Sequence, residues 1–338
     1  MKRWMVQAIS RGKRWMGIVP ESPSQVQIEI TNRCNFDCVM CQRKDLGINF
    51  QDMPFDLFRQ VLDRIPASTR TVCLTGWGEP TLHPDLLKMI QLTRDRGKLP
   101  IFTTNGVLLK GALGQEILDS GVHTVTFSLD SMDEEEGTLA HWEPAAVIRN
   151  VKEFVGRIRE GSLPIRTGIN TTLHASRADD VCGVIRFAGE IGIDQVSILR
   201  LDLRFQPTLR RYSQEEERSV LQRAHRLGRK HSVRVQSILS EHGFGGRFFT
   251  LFNRNCPKPF DYLYINWKGE VTPCCNLPTM NLQNILEQDL QQVWKGASLS
   301  RFRRKQRELC GKCDVLYYRY HPENLVNGTQ DALSPKPS

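Results

Sequence analysis

The tightest constraint on this chain lies in one short stretch, Ile28-Glu29-Ile30-Thr31-Asn32-Arg33-Cys34-Asn35-Phe36-Asp37-Cys38-Val39-Met40-Cys41. Its alternating apolar start reads as a strand that passes directly into a loop carrying Cys34, Cys38 and Cys41, spaced Cys-x3-Cys-x2-Cys. Three thiols packed so closely at a strand's C-terminal end suit an iron–sulfur cluster better than a disulfide. A cubane cluster has four irons, so three protein ligands leave one iron open to coordinate something else.

The chain beyond this loop alternates strands and helices. Helical spacing is expected at Phe55–Ile65, Leu86–Arg96, Val147–Ile158 and Val181–Ile191, with Ile117 and Leu118 on a further helix. Strands are expected at Thr71–Thr75, Pro100–Gly106, Val122–Asp130, Ile165–Thr172 and Gln195–Leu201. Alternation on this scale predicts a parallel α/β sheet with right-handed crossovers. In such barrels chemistry collects at the C-terminal strand ends, where Asn105, Ser128, Asp130 and Asn170 fall. Each of these also suits an ordinary turn cap.

The second strand runs into Gly76-Trp77-Gly78-Glu79-Pro80. Glycines let a backbone turn tightly and approach a ligand, and a neighbouring carboxylate can bind an ammonium group. Together with the cysteine spacing, this segment resembles the radical S-adenosylmethionine (SAM) superfamily. Met40 stands where the family usually has an aromatic residue, and Trp77 replaces the first glycine of its Gly-Gly-Glu-Pro segment. The resemblance implies a partial (β/α)6 TIM-like barrel. It implies a [4Fe–4S] cluster on Cys34, Cys38 and Cys41 whose open iron binds SAM. Reductive cleavage of SAM to a 5′-deoxyadenosyl radical, and abstraction of a substrate hydrogen, would follow. By the same resemblance Gly78, Glu79 and Pro80 hold the SAM amino group, Asn105, Ser128 and Asn170 face its ribose or the substrate, and Leu199 lies near the adenine.

A second cysteine set follows. Cys256 precedes a hairpin pattern, Tyr264 to Pro273 around Lys268-Gly269, that ends in Cys274-Cys275; a helical stretch then leads to Cys310-Gly311-Lys312-Cys313. Four such thiolates close either an iron–sulfur cluster or a tetrahedral zinc site, and the residues alone leave both open. Given the N-terminal motif, the segment resembles the SPASM or twitch extension of radical SAM enzymes. That implies one auxiliary [4Fe–4S] cluster on Cys256, Cys274, Cys310 and Cys313, with Cys275 in reserve, and two clusters in all. Cys73 and Cys182 read as buried core thiols.

The expected divisions are a basic arm at 1–23, the barrel at 24–240, the auxiliary-cluster domain at 241–322 and a polar, proline-containing tail at 323–338. The arm is shorter than the leader-peptide-binding domain of many peptide-modifying relatives, and its Trp4, Met5, Ile9, Trp15 and Met16 suit an amphipathic helix lying on the barrel or a weak membrane-surface contact. The formal charge of +9 sits largely in runs such as Arg301–Lys305, which read as solvated helix faces, so no nucleic-acid partner is expected. No apolar run approaches the roughly 20 residues of a membrane span, no signal pattern is present, and a cytoplasmic location is expected.

The resemblance thus implies an oxidoreductase supplied with electrons by a flavodoxin or ferredoxin. One-cluster relatives oxidise or epimerise small hydroxylated molecules, which makes that the expected chemistry. Peptide or protein maturation is the alternative, and a non-catalytic iron–sulfur or zinc protein a remote one.

Overall fold

The computed structural model describes residues 18–43, 50–132, 144–173, 178–201, 212–237, 256 and 258–310. Most of the basic arm, the glycine- and aromatic-rich stretch before Cys256, Cys313 and the tail lie outside these residues.

One ten-stranded sheet runs through the molecule in the order β10-β9-β8-β1-β2-β3-β4-β5-β6-β7. Strands β1 (Gln25–Ile28), β2 (Thr71–Cys73), β3 (Leu99–Thr104), β4 (Thr124–Ser128), β5 (Arg166–Leu173), β6 (Gln195–Arg200) and β7 (Arg234–Gln236) are successive parallel neighbours. Between them run α1 (Phe55–Asp63), α2 (Leu86–Asp95), α3 (Gly111–Asp119), α4 (Pro144–Glu160), α5 (Ala178–Ile191) and α6 (Gln214–Lys230). The alternation read from the sequence is therefore present, as an α/β partial barrel. The seventh strand was not anticipated. It is three residues long within a charged stretch, and only Val235 of it is buried, so its period is too short to read.

The two faces of the sheet differ sharply. Val26, Ile28, Val72, Phe102, Val125, Phe127, Ile169, Val196 and Ile198 are buried against the helices, and Phe127 meets Phe154 of α4 edge-on at 6.0 Å. The alternate positions, which a pleated strand turns to the opposite side, carry Gln27, Thr103, Thr124, Thr126, Ser128, Asn170, Thr172 and Ser197. The helix side is thus an apolar core and the concave side a polar bowl. Helix α6 starts with a capping box between Ser213 and Glu216, and Arg200 at the tip of β6 is paired with its buried Glu217.

The C-terminal segment continues the same sheet. Strand β8 (Tyr262–Ile265) pairs parallel to β1, with Gln27 opposite Tyr264, and turns through Lys268-Gly269 into antiparallel β9 (Glu270–Thr272) and β10 (Gln283–Asn284). The hairpin read from the sequence is present. Its first strand shares β1 with the barrel, so the sheet runs unbroken between the two segments. Helices α7 (Leu290–Lys295), α8 (Ala297–Arg304) and α9 (Gln306–Leu309) pack beside it, and Trp294 is fully buried with Nε1 donating to Pro20 O at 2.8 Å. Among the described residues no helix is long and apolar enough to cross a membrane.

Candidate functional site

The three-cysteine loop springs from the C-terminal end of β1 and is closed at its neck. Thr31 bridges antiparallel to Asp52, Met53 N donates to Ile30 O at 2.7 Å, and Gln51 N donates to Asn32 Oδ1 at 2.6 Å. Thr31 Oγ1 and Arg33 Nε both donate to Asp52 Oδ1, at 2.6 and 3.0 Å. Within the loop Cys41 N donates to Cys38 O at 3.0 Å, which turns the last two cysteines toward the first. Burial pushes the Cys38 thiol up to about 12, and Cys41 and Cys34 both face it. No three His, Cys, Asp or Glu side chains among the described residues converge as ligands of a single ion. A cubane spreads its thiolates over separate irons, and three neighbouring thiols on one closed loop fit that demand.

The glycine turn after β2 lies directly against this loop. A Cβ on Gly78 would stand 2.4 Å from Arg33 O and 2.7 Å from Thr31 O, and Glu79 N donates to Arg33 O at 2.7 Å. The Glu79 carboxylate is buried and takes four donors. Oε1 accepts from Thr81 N, Thr81 Oγ1 and Thr104 Oγ1 at 3.0, 2.7 and 2.8 Å, and Oε2 accepts from Asn105 N at 2.7 Å. Burial nevertheless pushes this carboxyl above its ordinary range. Glu79 therefore brackets the end of β2 to the end of β3, and only Oε2 keeps acceptor capacity for a further donor. Asn105 completes the junction by donating from Nδ2 to Asn35 Oδ1, in the cysteine loop, at 2.8 Å. Two buried donors at this mouth, Asn32 Nδ2 and Trp77 Nε1, have no partner among the described residues. Polar atoms left in this way suit a polar ligand above the loop.

The other strand-tip residues share the concave face. Ser128 is opposite Asn170 in the β4–β5 ladder, Asn170 is opposite Ser197, and Thr172 is opposite Leu199, which is 46% exposed. Pro80 starts a single 3₁₀ turn beneath Glu79. Asp130, the carboxylate among the strand-tip residues singled out above, lies just beyond β4. It accepts from Thr172 N at 2.6 Å, it faces Cys38, and burial pushes it up to about 6.

That shift has a sign. Below about pH 4 the Asp130 carboxyl is protonated in both folded and unfolded chains, and the folded state loses stability as the pH rises through about 6. Asp130→Asn keeps the acceptor for Thr172 and removes the loss. Thermal melts of the iron-free protein should show the variant gaining on the wild type from about pH 4 to 7, by on the order of 2 kcal/mol. Parallel curves would show that Asp130 is not held protonated.

Two cysteines of the second set are tied together by one glutamine. Buried Gln306 accepts from Cys256 N through Oε1 at 2.7 Å, and its own carbonyl accepts from Cys310 N at 2.8 Å. Lys258 faces both Cys274 and Cys275. Gln306 thus ties Cys256 to Cys310, Lys258 two residues after Cys256 acts on Cys274, and Cys313 lies outside the described residues. Cys275 is turned toward Tyr262 and Tyr264 on the concave face. The donor set, all thiols with a lysine beside them, fits an iron–sulfur cluster. Cys182 is a buried thiol of α5 as expected, whereas buried Cys73 lies on the concave side against Tyr264.

Comparison with known proteins agrees with this geometry. The Radical SAM superfamily model matches residues 28–188, and the SPASM iron–sulfur cluster-binding domain matches 256–314. The AdoMet-dependent heme synthase of Methanosarcina barkeri is 21% identical over 88% of this chain and 89% of its own length. A probable GTP 3′,8-cyclase of Sulfurisphaera tokodaii is 32% identical over 53% of this chain, which spans about half (56%) of that protein. Among solved structures, Streptococcus suis SuiB bound to S-adenosylmethionine superposes with a TM-score of 0.70 at 18% identity, covering 90% of this chain and 74% of SuiB. SuiB bound to its precursor peptide SuiA gives the same score. The chain belongs to the radical SAM superfamily and carries a C-terminal SPASM domain, and the cofactors of these domains are SAM and [4Fe–4S] clusters.

Proposed function

We propose that this enzyme oxidises or epimerises a small hydroxylated molecule, sugar- or cyclitol-like, held in the polar bowl. The observation that carries this reading is the concave face itself. Thr124, Thr126, Ser128, Asn170, Thr172 and Ser197 line it with hydroxyls and an amide, while the buried apolar residues of the same strands are turned to the helices and exposed Leu199 stands at its rim. Such a surface matches the hydrogen-bonding groups of a polyol.

Cys34, Cys38 and Cys41 hold the first cluster in this reading, and Cys256, Cys274, Cys310 and Cys313 hold a single auxiliary one. When bound, the first cluster and SAM supply the 5′-deoxyadenosyl radical, and the auxiliary cluster supplies an electron acceptor. The protein's own part is to position. Gly78 lets the turn lie on the cysteine loop, Glu79 Oε2 receives the SAM amino group as a further donor, and Ser128 and Asn170 meet the ribose beside Leu199. A cavity of about 670 Å³ lies against the cysteine loop, lined by Arg33, Arg43 and the 62% exposed Phe50 among others. It offers an acidic flavodoxin or ferredoxin a basic, partly apolar landing place within the cytoplasm. Peptide maturation is the second reading, supported by the likeness in fold to peptide-bound SuiB.

Mass spectrometry of the reconstituted, untagged enzyme incubated with SAM, a reductant and separated host fractions tests the choice. The expected result is 5′-deoxyadenosine formation driven by the small polyol fraction, with a product either lighter by two hydrogens or inverted at one carbon. A peptide mass shift would sink the small-molecule reading.

A further inference from the structure

The strands β8, β1 and β2 carry a second polar column, buried beneath the mouth of the bowl and used by none of the roles above. Tyr262 donates to Gln27 Oε1 at 2.7 Å, and Gln27 Nε2 donates to Thr75 O at 2.7 Å. One step nearer the mouth, at the end of β1, lies Glu29, only 3% exposed. Its Oε1 accepts from Trp77 N at 3.1 Å, and the Trp267 backbone also reaches the carboxyl. Gly76 makes room for it, since a Cβ there would stand 2.2 Å from Glu29 Cγ. Fully buried Tyr264 turns its hydroxyl toward this carboxyl, and the two act on each other as hydrogen-bonding neighbours. The titratable groups around Glu29 are Tyr264 from β8 and, facing Tyr264 in turn, Cys73 from β2 and Cys275 from the loop after β9. Burial lifts the Glu29 carboxyl above its usual range, and Tyr264 likewise.

A carboxyl in such a place has two properties. It lies beside β8, where Tyr264 is opposite Thr272, whose hydroxyl donates to Cys274 O at 3.1 Å, and Cys275 acts on Tyr264 as well. Among the described residues no cation acts on this carboxyl, so its ionised form is costly and responds to any new negative charge nearby. We propose that Glu29 is the proton acceptor coupled to reduction of the auxiliary cluster, with the Tyr264 hydroxyl stabilising its ionised form. One electron enters the cluster and one proton is bound by Oε1 or Oε2 of Glu29. During turnover electron and proton both leave the substrate; in a redox titration they come from dithionite and from solvent. This inference rests on the auxiliary-cluster reading above.

The test is the midpoint potential of the auxiliary cluster against pH, followed by electron paramagnetic resonance in the full-length Cys34→Ala, Cys38→Ala, Cys41→Ala protein, where only that cluster remains. The potential is expected to fall by up to 59 mV for each tenfold drop in proton concentration, up to a break above which it is flat. Glu29→Gln in the same background should give a flat line. Tyr264→Phe, which removes that hydroxyl, should move the break to higher pH, because the carboxylate loses a donor. A pH-independent potential in the parent, or an unchanged slope in Glu29→Gln, overturns the inference while leaving the cluster in place. Protein that binds zinc or no iron overturns the cluster reading and this inference together.

Discussion

Replacing Cys34, Cys38 and Cys41 with alanine should abolish formation of 5′-deoxyadenosine from SAM, under any reductant, while leaving the protein folded. The three side chains sit on a loop whose neck is held independently, by the Thr31–Asp52 bridge, the Arg33–Asp52 ion pair and the Asn32–Gln51 bonds. None of the three thiols is part of the hydrophobic core. Stability should therefore change little, and the loss should fall on the metal. About eight irons per chain are expected in reconstituted wild type and about four in the variant, with acid-labile sulfide in proportion. About four irons plus one zinc in the wild type would retain the radical chemistry and remove the auxiliary electron acceptor, favouring epimerisation over oxidation. Persistent 5′-deoxyadenosine in the variant would show that SAM is cleaved elsewhere.

The second large effect is expected from a single methyl group. In Gly78→Ala the new Cβ would lie 2.4, 2.7 and 2.8 Å from Arg33 O, Thr31 O and Arg33 N, all of them backbone atoms that no rotamer change can clear. The strand end carrying the cysteines and the turn carrying Glu79 must then separate. That breaks the Glu79 N to Arg33 O bond and disturbs the four donors held by the Glu79 carboxylate, each buried and costly to leave unpaired. A loss of about 3 kcal/mol or more is expected, read as a lowered melting temperature of the iron-free protein. Incomplete loading of the first cluster should accompany it, while the auxiliary cluster loads normally. The variant also separates two roles for the glycine. Normal stability with lost SAM binding would mean that Gly78 serves only the ligand and that the backbones move apart freely.

The radical SAM site was unusually open to reading because its chemistry depends on residues close in sequence. Three thiols within eight positions, and a glycine turn beside a carboxylate, carry their meaning in their spacing. The strand and helix periods added the barrel, since each strand turns apolar residues to the helices and each helix buries one stripe. Strand β7 escaped because three residues carry no period, and its place in the sheet comes from its bonds to β6.

Glu79 shows where spacing stops. Its neighbours in sequence suggest a group waiting for an ammonium ion, but the folded chain brings Thr104 and Asn105 from the next strand to occupy most of its carboxylate. The residue that holds a turn to its neighbour and the residue that meets a ligand look alike in a linear text. Gln306 was silent for the same reason. Nothing marks it out in sequence, yet it ties Cys256 to the helix that ends at Cys310 through contacts about 50 positions apart.

The sequence by itself determined the ligand chemistry, the alternation of strands and helices, and the presence of two cysteine sets, because these follow from local spacing and from periods of two and 3.6 residues. The tertiary structure decided how the sets are related. The pairing of β8 with β1 makes one sheet of both segments, and with it brings Tyr264 onto Glu29 and Cys275 onto the floor of the bowl. Strand register is a long-range choice, made by hydrogen bonds between residues more than 230 positions apart, and no local pattern records it.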